Sequence, residues 1–158
     1  PLHMACLFKA PAKSISHLVQ MFPKAAAIHD KDGYTPLHLA CENGATADVV
    51  QILVASNPNN CIAVTQHATT PLHLACSSTA SKSVVRTLID ACPEAAEYPD
   101  YMGQLPLHLA AQSSLSAATM EILVKAYPEG KEALTDRGQT AFRIAKGKRA
   151  SDDVLRWL

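Results

Sequence analysis

Apolar residues recur along the chain with the spacing i, i+3, i+4, which places them on one side of a helix. Val50, Leu53 and Val54 form one such set, and equivalent sets lie about 35 residues apart: Ile15, Leu18, Val19 and Phe22; Val85, Leu88 and Ile89; Met120, Leu123 and Val124. Each set follows a shorter apolar stripe in a Leu-His-Leu-Ala run, which reads Leu-His-Met-Ala in the first copy. The pattern therefore predicts two one-sided helices per copy, joined by a turn.

The shorter stripe belongs to a motif that repeats every 35 residues. Pro36-Leu37-His38-Leu39-Ala40-Cys41 returns at residues 71–76, with variants at 1–6 and 106–111 and a degraded copy at 141–145. Two further markers keep the same phase: Pro23, Pro58, Pro93 and Pro128; Gly33, Gly103 and Gly138, with Ala68 in the vacant position. A pair of short helices cannot bury its apolar face alone, so the repeat predicts stacking of neighbouring units.

The residues around the motif predict where the helices begin and end. Thr35 and Thr70 precede proline, which gives the first helix an N-cap hydroxyl and a proline at its first position. Thr46, Ser81 and Ser116 are the predicted caps of the second helix, which the repeating proline then stops. Two substitutions disturb the pattern: Leu105 removes one capping hydroxyl, and Ala68 is expected to distort one turn.

The Thr-Pro-Leu-His-Leu-Ala-Cys signature, in a two-helix unit with a projecting turn, resembles the ankyrin repeat family. The resemblance implies an all-α solenoid of stacked helix-turn-helix units with projecting β-turn or hairpin loops. We expect one domain over 1–158, with units at about 1–35, 36–70, 71–105, 106–140 and 141–158. The first unit lacks its threonine and turn, and the last is degraded. We therefore expect a segment of a longer protein.

Charge narrows the classes of partner. Fourteen basic and fourteen acidic residues balance, and aromatic residues make up only 5% of the chain, which disfavours nucleic acid and anionic membranes. No apolar run is long enough to span a membrane. Residues 141–158 carry five basic and two acidic side chains, a net +3. A solvated terminal unit is the favoured interpretation of that cluster, over a nucleic-acid, phosphoinositide or nuclear-import contact.

Histidine and cysteine recur in the motif, yet their spacing argues against a metal site or a disulfide formed between neighbouring copies. Stacked helices lie ~8–10 Å apart, whereas two imidazoles on one zinc need nitrogens within ~4 Å and a disulfide needs Cα atoms within ~7 Å. The family resemblance instead implies a structural histidine that hydrogen-bonds near the Thr-Pro turn and to the adjacent loop. No nucleophile or phosphate-binding motif occurs. We therefore expect no enzyme, metal site or cofactor.

The resemblance also implies where a partner would bind: at the turn tips and at the exposed end of each first helix, on the concave face. These positions fall outside both apolar stripes and differ between copies. The predicted partner-binding residues are Lys31, Asp32, Tyr34, Glu42, Asn43, Gln66, His67, Thr69, Ser77, Ser78, Tyr101, Met102, Gln104, Gln112, Ser113, Asp136, Arg137 and Gln139. Tyr34, Tyr101, Met102 and Arg137 are the favoured contacts, because tyrosine and arginine are frequent hot spots. Phe8 is a weaker candidate.

The first hypothesis for function is a non-catalytic scaffold that binds another protein and no small-molecule substrate. The alternative is a regulatory or targeting module of a larger enzyme, kinase or channel whose active part lies outside this segment. An intrinsic hydrolase or metalloenzyme is disfavoured. We expect a monomer, and the five scattered cysteines favour an intracellular location, in the cytoplasm or the nucleus.

Overall fold

The computed structural model describes residues 1–158 and contains ten α-helices and no strand. Five are first helices of the units: α1 (Leu2–Leu7), α3 (Pro36–Glu42), α5 (Pro71–Ser77), α7 (Pro106–Gln112) and α9 (Ala141–Gly147). Five are second helices: α2 (Ala12–Met21), α4 (Ala47–Ser56), α6 (Lys82–Ala91), α8 (Ala117–Ala126) and α10 (Asp152–Leu155). The all-α prediction is confirmed. No helix combines the length and hydropathy needed to cross a membrane.

The helices stack in two layers. Each first helix packs against the first helix of the next unit, and α2, α4, α6 and α8 pack in the same order beside them. The apolar stripes meet between the layers, where Leu37, Leu72 and Leu107 are buried together with Val50, Val85 and Met120. The buried apolar residues form a single cluster of 35, so the units share one continuous core. Stacking along one axis is the arrangement that the repeat predicts.

A threonine and a histidine build the start of the interior first helices. In α3, the Thr35 hydroxyl accepts from the His38 backbone N–H at 3.4 Å, and the Thr35 N–H donates to His38 Nδ1 at 3.1 Å. Thr70 and His73 repeat this reciprocal pair in α5. In α7, Leu105 supplies no hydroxyl, but its N–H still donates to His108 Nδ1 at 3.0 Å. Losing the threonine therefore removes half of the cap and keeps the histidine in place.

The predicted caps occupy the N-cap position of all three second helices, and their hydroxyls accept a capping hydrogen bond in two of them. Ser81 accepts from the Val84 N–H and Ser116 from the Thr119 N–H. Thr46 has the extended backbone of an N-cap, yet its hydroxyl accepts no hydrogen bond from α4. Thr46 is exposed, so water can satisfy both the hydroxyl and the first N–H groups of the helix.

Each repeating proline begins a short 3₁₀ helix as well as following the end of a second helix. These 3₁₀ helices cover Pro23–Ala27, Pro58–Cys61, Pro93–Ala96 and Pro128–Lys131. Proline fits the first position of a helical turn, because its fixed φ suits that position and its missing N–H has no partner there. The sequence pattern predicts only the stop, so the 3₁₀ turn is a feature that the structure adds.

Ala68 does not distort its turn, and the expectation that it would is wrong. It adopts φ 56°, in the left-handed region that Gly33 occupies at 85° and Gly103 at 68°. The turn is closed as in the other units, with the Thr65 N–H donating to the Thr69 carbonyl at 3.1 Å. A side chain in this region is strained by about 1 kcal/mol, which the neighbouring hydrogen bonds offset.

The N-terminal edge of the stack exposes apolar side chains. Phe22, predicted in the apolar stripe of α2, is 57% exposed, because it lies one residue past the end of that helix. Phe8, Met21 and Ile28 are also exposed, at 71%, 60% and 55%. Phe22 and Ile28 line an open groove of about 630 Å³. In the other units, the corresponding side of the helices is covered by the preceding unit.

Candidate protein-interaction site

Four projecting turns, which we call the tips, lie at residues 30–34, 65–69, 100–104 and 135–139. One side chain holds each tip: Asp30 Oδ1 accepts from the N–H groups of Asp32 and Tyr34, both at 2.9 Å. Asp100 does the same in the third tip at 2.8 Å. A threonine hydroxyl takes this role in the second and fourth tips. The tips are therefore ordered turns, each held by hydrogen bonds to the side chain of its first residue.

Backbone hydrogen bonds also join each tip to the next one. The Gln66 N–H donates to the Asp32 carbonyl at 3.1 Å, and the Tyr101 N–H donates to the His67 carbonyl at 3.2 Å. The Asp136 N–H donates to the Met102 carbonyl at 3.0 Å in the same register. These bonds make the four tips one continuous edge of the molecule.

The predicted partner-binding residues lie on this edge and at the adjoining ends of α3, α5 and α7; together they are called the tip face. None of them is buried. Ten are exposed: Lys31, Asp32, Glu42, Gln66, His67, Ser77, Tyr101, Gln112, Asp136 and Arg137. Eight are half-buried: Tyr34, Asn43, Thr69, Ser78, Met102, Gln104, Ser113 and Gln139.

Several half-buried members of the tip face form contacts within the chain. The Ser78 hydroxyl donates to the Cys41 carbonyl at 2.8 Å, which ties α5 to α3. The Ser113 hydroxyl donates to the Ser77 carbonyl at 3.2 Å and ties the next two units. Tyr34 places its ring edge-on to the His38 imidazole at 5.8 Å. These side chains stabilise the face as well as forming part of it.

Two exposed aromatic groups meet on neighbouring tips. The His67 and Tyr101 rings lie 5.4 Å apart and tilted by 45°. Tyr101 is 64% exposed, so its ring is supported from one side and open on the other. A large, rigid and partly exposed ring of this kind is well suited to contact another protein.

The acidic groups of the tip face are concentrated around the first tip. Burial raises the pKa of the Tyr34 phenol in the first tip, and the carboxylates of Glu42, Asp30 and Asp32 raise it further. At the other end, Arg137 stands at the position of Asp32, whereas Thr135 and Gly147 stand at the positions of Asp30 and Glu42. A surface with this arrangement can orient a charged partner before close contact forms.

A cleft of about 390 Å³ lies at the C-terminal end of the tip face, between the last tip and α9. It brings together five predicted residues: Met102, Gln104, Gln112, Arg137 and Gln139. It also contains five residues that the sequence argument did not select: Thr135, Arg143, Ile144, Gly147 and Lys148. We call this site the basic cleft. Extending the 35-residue register by one unit could have found part of it, because Lys148 corresponds to Ser113 and Gly147 to Gln112.

The repeated histidines join neighbouring units. His38 Nδ1 accepts from the Thr35 N–H, so the ring proton lies on Nε2, which donates to the Thr69 carbonyl at 3.0 Å. His73 forms the same bridge to Gln104. Burial lowers the pKa of His38 to about 4 and also lowers the pKa values of His73 and His108. Buried neutral imidazoles whose nitrogens are already bonded serve the fold.

The five cysteines are buried free thiols. Burial raises the pKa of each thiol, to about 11 for Cys61 and about 12 for Cys6 and Cys92. A protonated, buried thiol is a poor nucleophile and metal ligand. No group of three or more histidine, cysteine or acidic side chains is arranged to hold a metal ion.

A comparison with known protein families identifies a family whose fold agrees with this architecture. The family model described as ankyrin repeats, in three copies, covers residues 2–97, and the chain belongs to this family. The helix pairs beyond residue 97 continue the same stack. Ankyrin repeats are generally protein–protein interaction modules and are typically non-catalytic. A comparison with curated proteins finds no match.

Proposed function

We propose that this chain is a non-catalytic scaffold that holds a partner protein against the tip face. The observation that supports the proposal is the continuous edge of four hydrogen-bonded tips, whose exposed side chains differ from unit to unit. Variable side chains on a fixed backbone can be matched to one partner without changing the core.

Tyr34, Tyr101 and Met102 are the proposed centre of binding. Tyr101 offers the largest exposed ring on the tips, and Tyr34 lies on the same edge beside His38. Met102 belongs to the third tip, is half-buried and lines the basic cleft. Apolar groups that are already ordered lose little conformational entropy when a partner covers them, so they contribute strongly to affinity.

The cysteines support an intracellular location as part of the proposal. All five thiols are reduced and buried, and none is placed to stabilise the fold by cross-linking. Proteins of oxidising compartments more often use their cysteines in disulfides.

Affinity capture from native lysate tests the proposal. We expect replacement of Tyr34, Tyr101 and Met102 by alanine to abolish capture of a partner, while helical content and melting temperature stay close to those of the wild type. A matched control removes a methionine and a tyrosine outside the tip face, Met21→Ala with Tyr98→Ala, and should retain the partner. Capture that survives the triple substitution would place binding on another surface.

A further inference from the structure

We propose that the basic cleft binds the carboxylate side chains of an acidic segment in the partner protein. This inference rests on the proposed function and deepens it, because it names the chemistry of the partner at one end of the tip face.

The first support is an excess of unpaired positive charge. Arg137, Arg143 and Lys148 line the cleft, and no acidic residue lines it. The chain has only two ion pairs, Lys125 with Glu121 and Arg156 with Asp153, and neither involves these three cations. Guanidinium groups form paired hydrogen bonds with carboxylates in one plane, which makes arginine well suited to recognise them.

The acidic side chain of the last tip forms no ion pair with the cations of the cleft. Asp136 is the chain neighbour of Arg137, but its carboxylate lies over Gly103. Its Oδ1 is 2.7 Å from the position that a β-carbon at Gly103 would occupy. Glycine at 103 therefore leaves room for this carboxylate beside the third tip. The cations of the cleft are left to an external ligand.

The second support is the remaining lining, which suits a peptide better than a phosphate. The Gln112 and Gln139 side chains lie in the cleft, and each amide offers both hydrogen-bond donors and an acceptor. A phosphate can use only the donors, whereas an extended peptide backbone uses both. Met102 and Ile144 add the apolar surface that a side-chain stem can cover. No aromatic ring lines the cleft, so bases have nothing to stack on.

The third support is the absence of similar chemistry in the other units. The 35-residue counterparts of Arg137 are Met102, His67 and Asp32, and those of Lys148 are Ser113, Ser78 and Asn43. Arg143 replaces the buried histidine of the motif and is exposed. The cationic side chains are therefore a property of this end of the face and not of the repeat.

Binding of defined probes tests the inference. The ligand probe is a fluorescent peptide in which four glutamates alternate with glycine and serine, and its control carries glutamine in place of glutamate. We expect Arg143→Gln with Lys148→Gln to weaken binding of the acidic peptide about tenfold. The matched variant Lys146→Gln with Arg156→Gln removes the same charge from the same unit outside the cleft. It should change the affinity less than twofold.

Three outcomes of that titration would overturn the inference. Equal weakening by both pairs would indicate general charge attraction without a site. Tighter binding of single-stranded DNA, or of vesicles containing phosphoinositide, that depends on Arg143 and Lys148 would assign the cleft to phosphate. Self-association that depends on the same two residues would assign it to the acidic first tip of a second copy. Circular dichroism of each variant checks that the helices are intact.

Measuring both partner capture and acidic-peptide binding distinguishes failure of this inference from failure of the proposed function. A partner that needs Tyr34 and Tyr101, yet binds the Arg143→Gln, Lys148→Gln variant as tightly as the wild type, supports the scaffold and overturns the acidic site. Loss of acidic-peptide binding in that variant, when no protein depends on the tip face, supports the acidic site and overturns the scaffold.

Discussion

The first and last units occupy equivalent edges of the stack, but they expose different chemistry. The first unit presents exposed apolar residues such as Phe8, together with a mainly apolar groove lined by Phe22 and Ile28. The last presents exposed cations, including Arg143, Lys146 and Lys148, over a small remnant of the core at Ala145 and Val154. The uncovered side chains are therefore mainly apolar in the first unit and mainly polar or charged in the last.

The first and last units also differ from the interior units in one shared way. The interior first helices bury a histidine between units, whereas His3 in the first unit is half-buried and Arg143 takes this position in the last. The interior should therefore respond to acid more strongly than the edges do.

Acidification should produce the largest change in stability. Burial lowers the pKa values of His38, His73 and His108 below ~6.5, the usual value for the unfolded chain. Between that value and the folded pKa, about 4 for His38, the unfolded state binds more protons. The contribution of these histidines to the free energy of unfolding is therefore fully present above pH ~6.5. Between pH 7 and pH 5, the free energy of unfolding should decrease by about 3 kcal/mol.

Urea unfolding at several pH values measures this change. Hydrogen exchange at pH 5 should locate the loss of protection in α3, α5 and α7 before α1 or α9. A free energy of unfolding that is constant between pH 7 and pH 5 would contradict the role assigned to the buried histidines.

The next largest effect compares one aromatic ring from each edge. Trp157 is half-buried against the core, and the Lys125 ammonium lies 5.7 Å from its ring centroid. Trp157→Ala should lower the free energy of unfolding by about 2 kcal/mol. Phe22→Ala should change it by less than about 0.5 kcal/mol, because Phe22 is 57% exposed. Equal losses in urea unfolding would show that the first edge is as well packed as the last.

The smallest predicted effect concerns the helix start at each edge. The Thr140 hydroxyl accepts from the Arg143 N–H at 3.3 Å and caps α9, whereas α1 follows Pro1, which has no side-chain acceptor. Thr140→Ala should lower the free energy of unfolding by about 1 kcal/mol. Thr140→Ser keeps the hydroxyl and should stay close to the wild type. Thermal melts of the two variants that coincide would contradict the cap.

Most of the fold could be predicted from the sequence because it is periodic. The motif beginning at Pro36 fixes the first helix, and Val50, Leu53 and Val54 fix the second, so one unit describes the others. The structure departs from the sequence prediction at two places where alternative local interactions compete. Thr46 leaves its cap to water, and Ala68 accepts a strained φ because the hydrogen bonds around it hold the turn.

The tip positions could be predicted for the same reason, but the basic cleft could not. Its character depends on which side chains from the fourth tip, α7 and α9 converge, and on whether their charges find partners nearby. Composition alone favours reading Arg143 and Lys148 as solvation of a terminal unit. The two ion pairs of the chain involve none of the cleft cations, and the Asp136 carboxylate lies over Gly103, so the structure shows that these cations are unpaired.

The hydrogen bonds that join the tips also fix the spacing between neighbouring tips along the edge. The bonds from Gln66, Tyr101 and Asp136 to the preceding tip are 3.0–3.2 Å long and keep one register. Neighbouring units are therefore held at the distance of packed helices, ~8–10 Å, while an extended peptide advances ~3.3 Å per residue. A partner segment lying along the edge would present about every third side chain to a new tip. The spacing of the tips would therefore select partners whose contact residues recur about every third position.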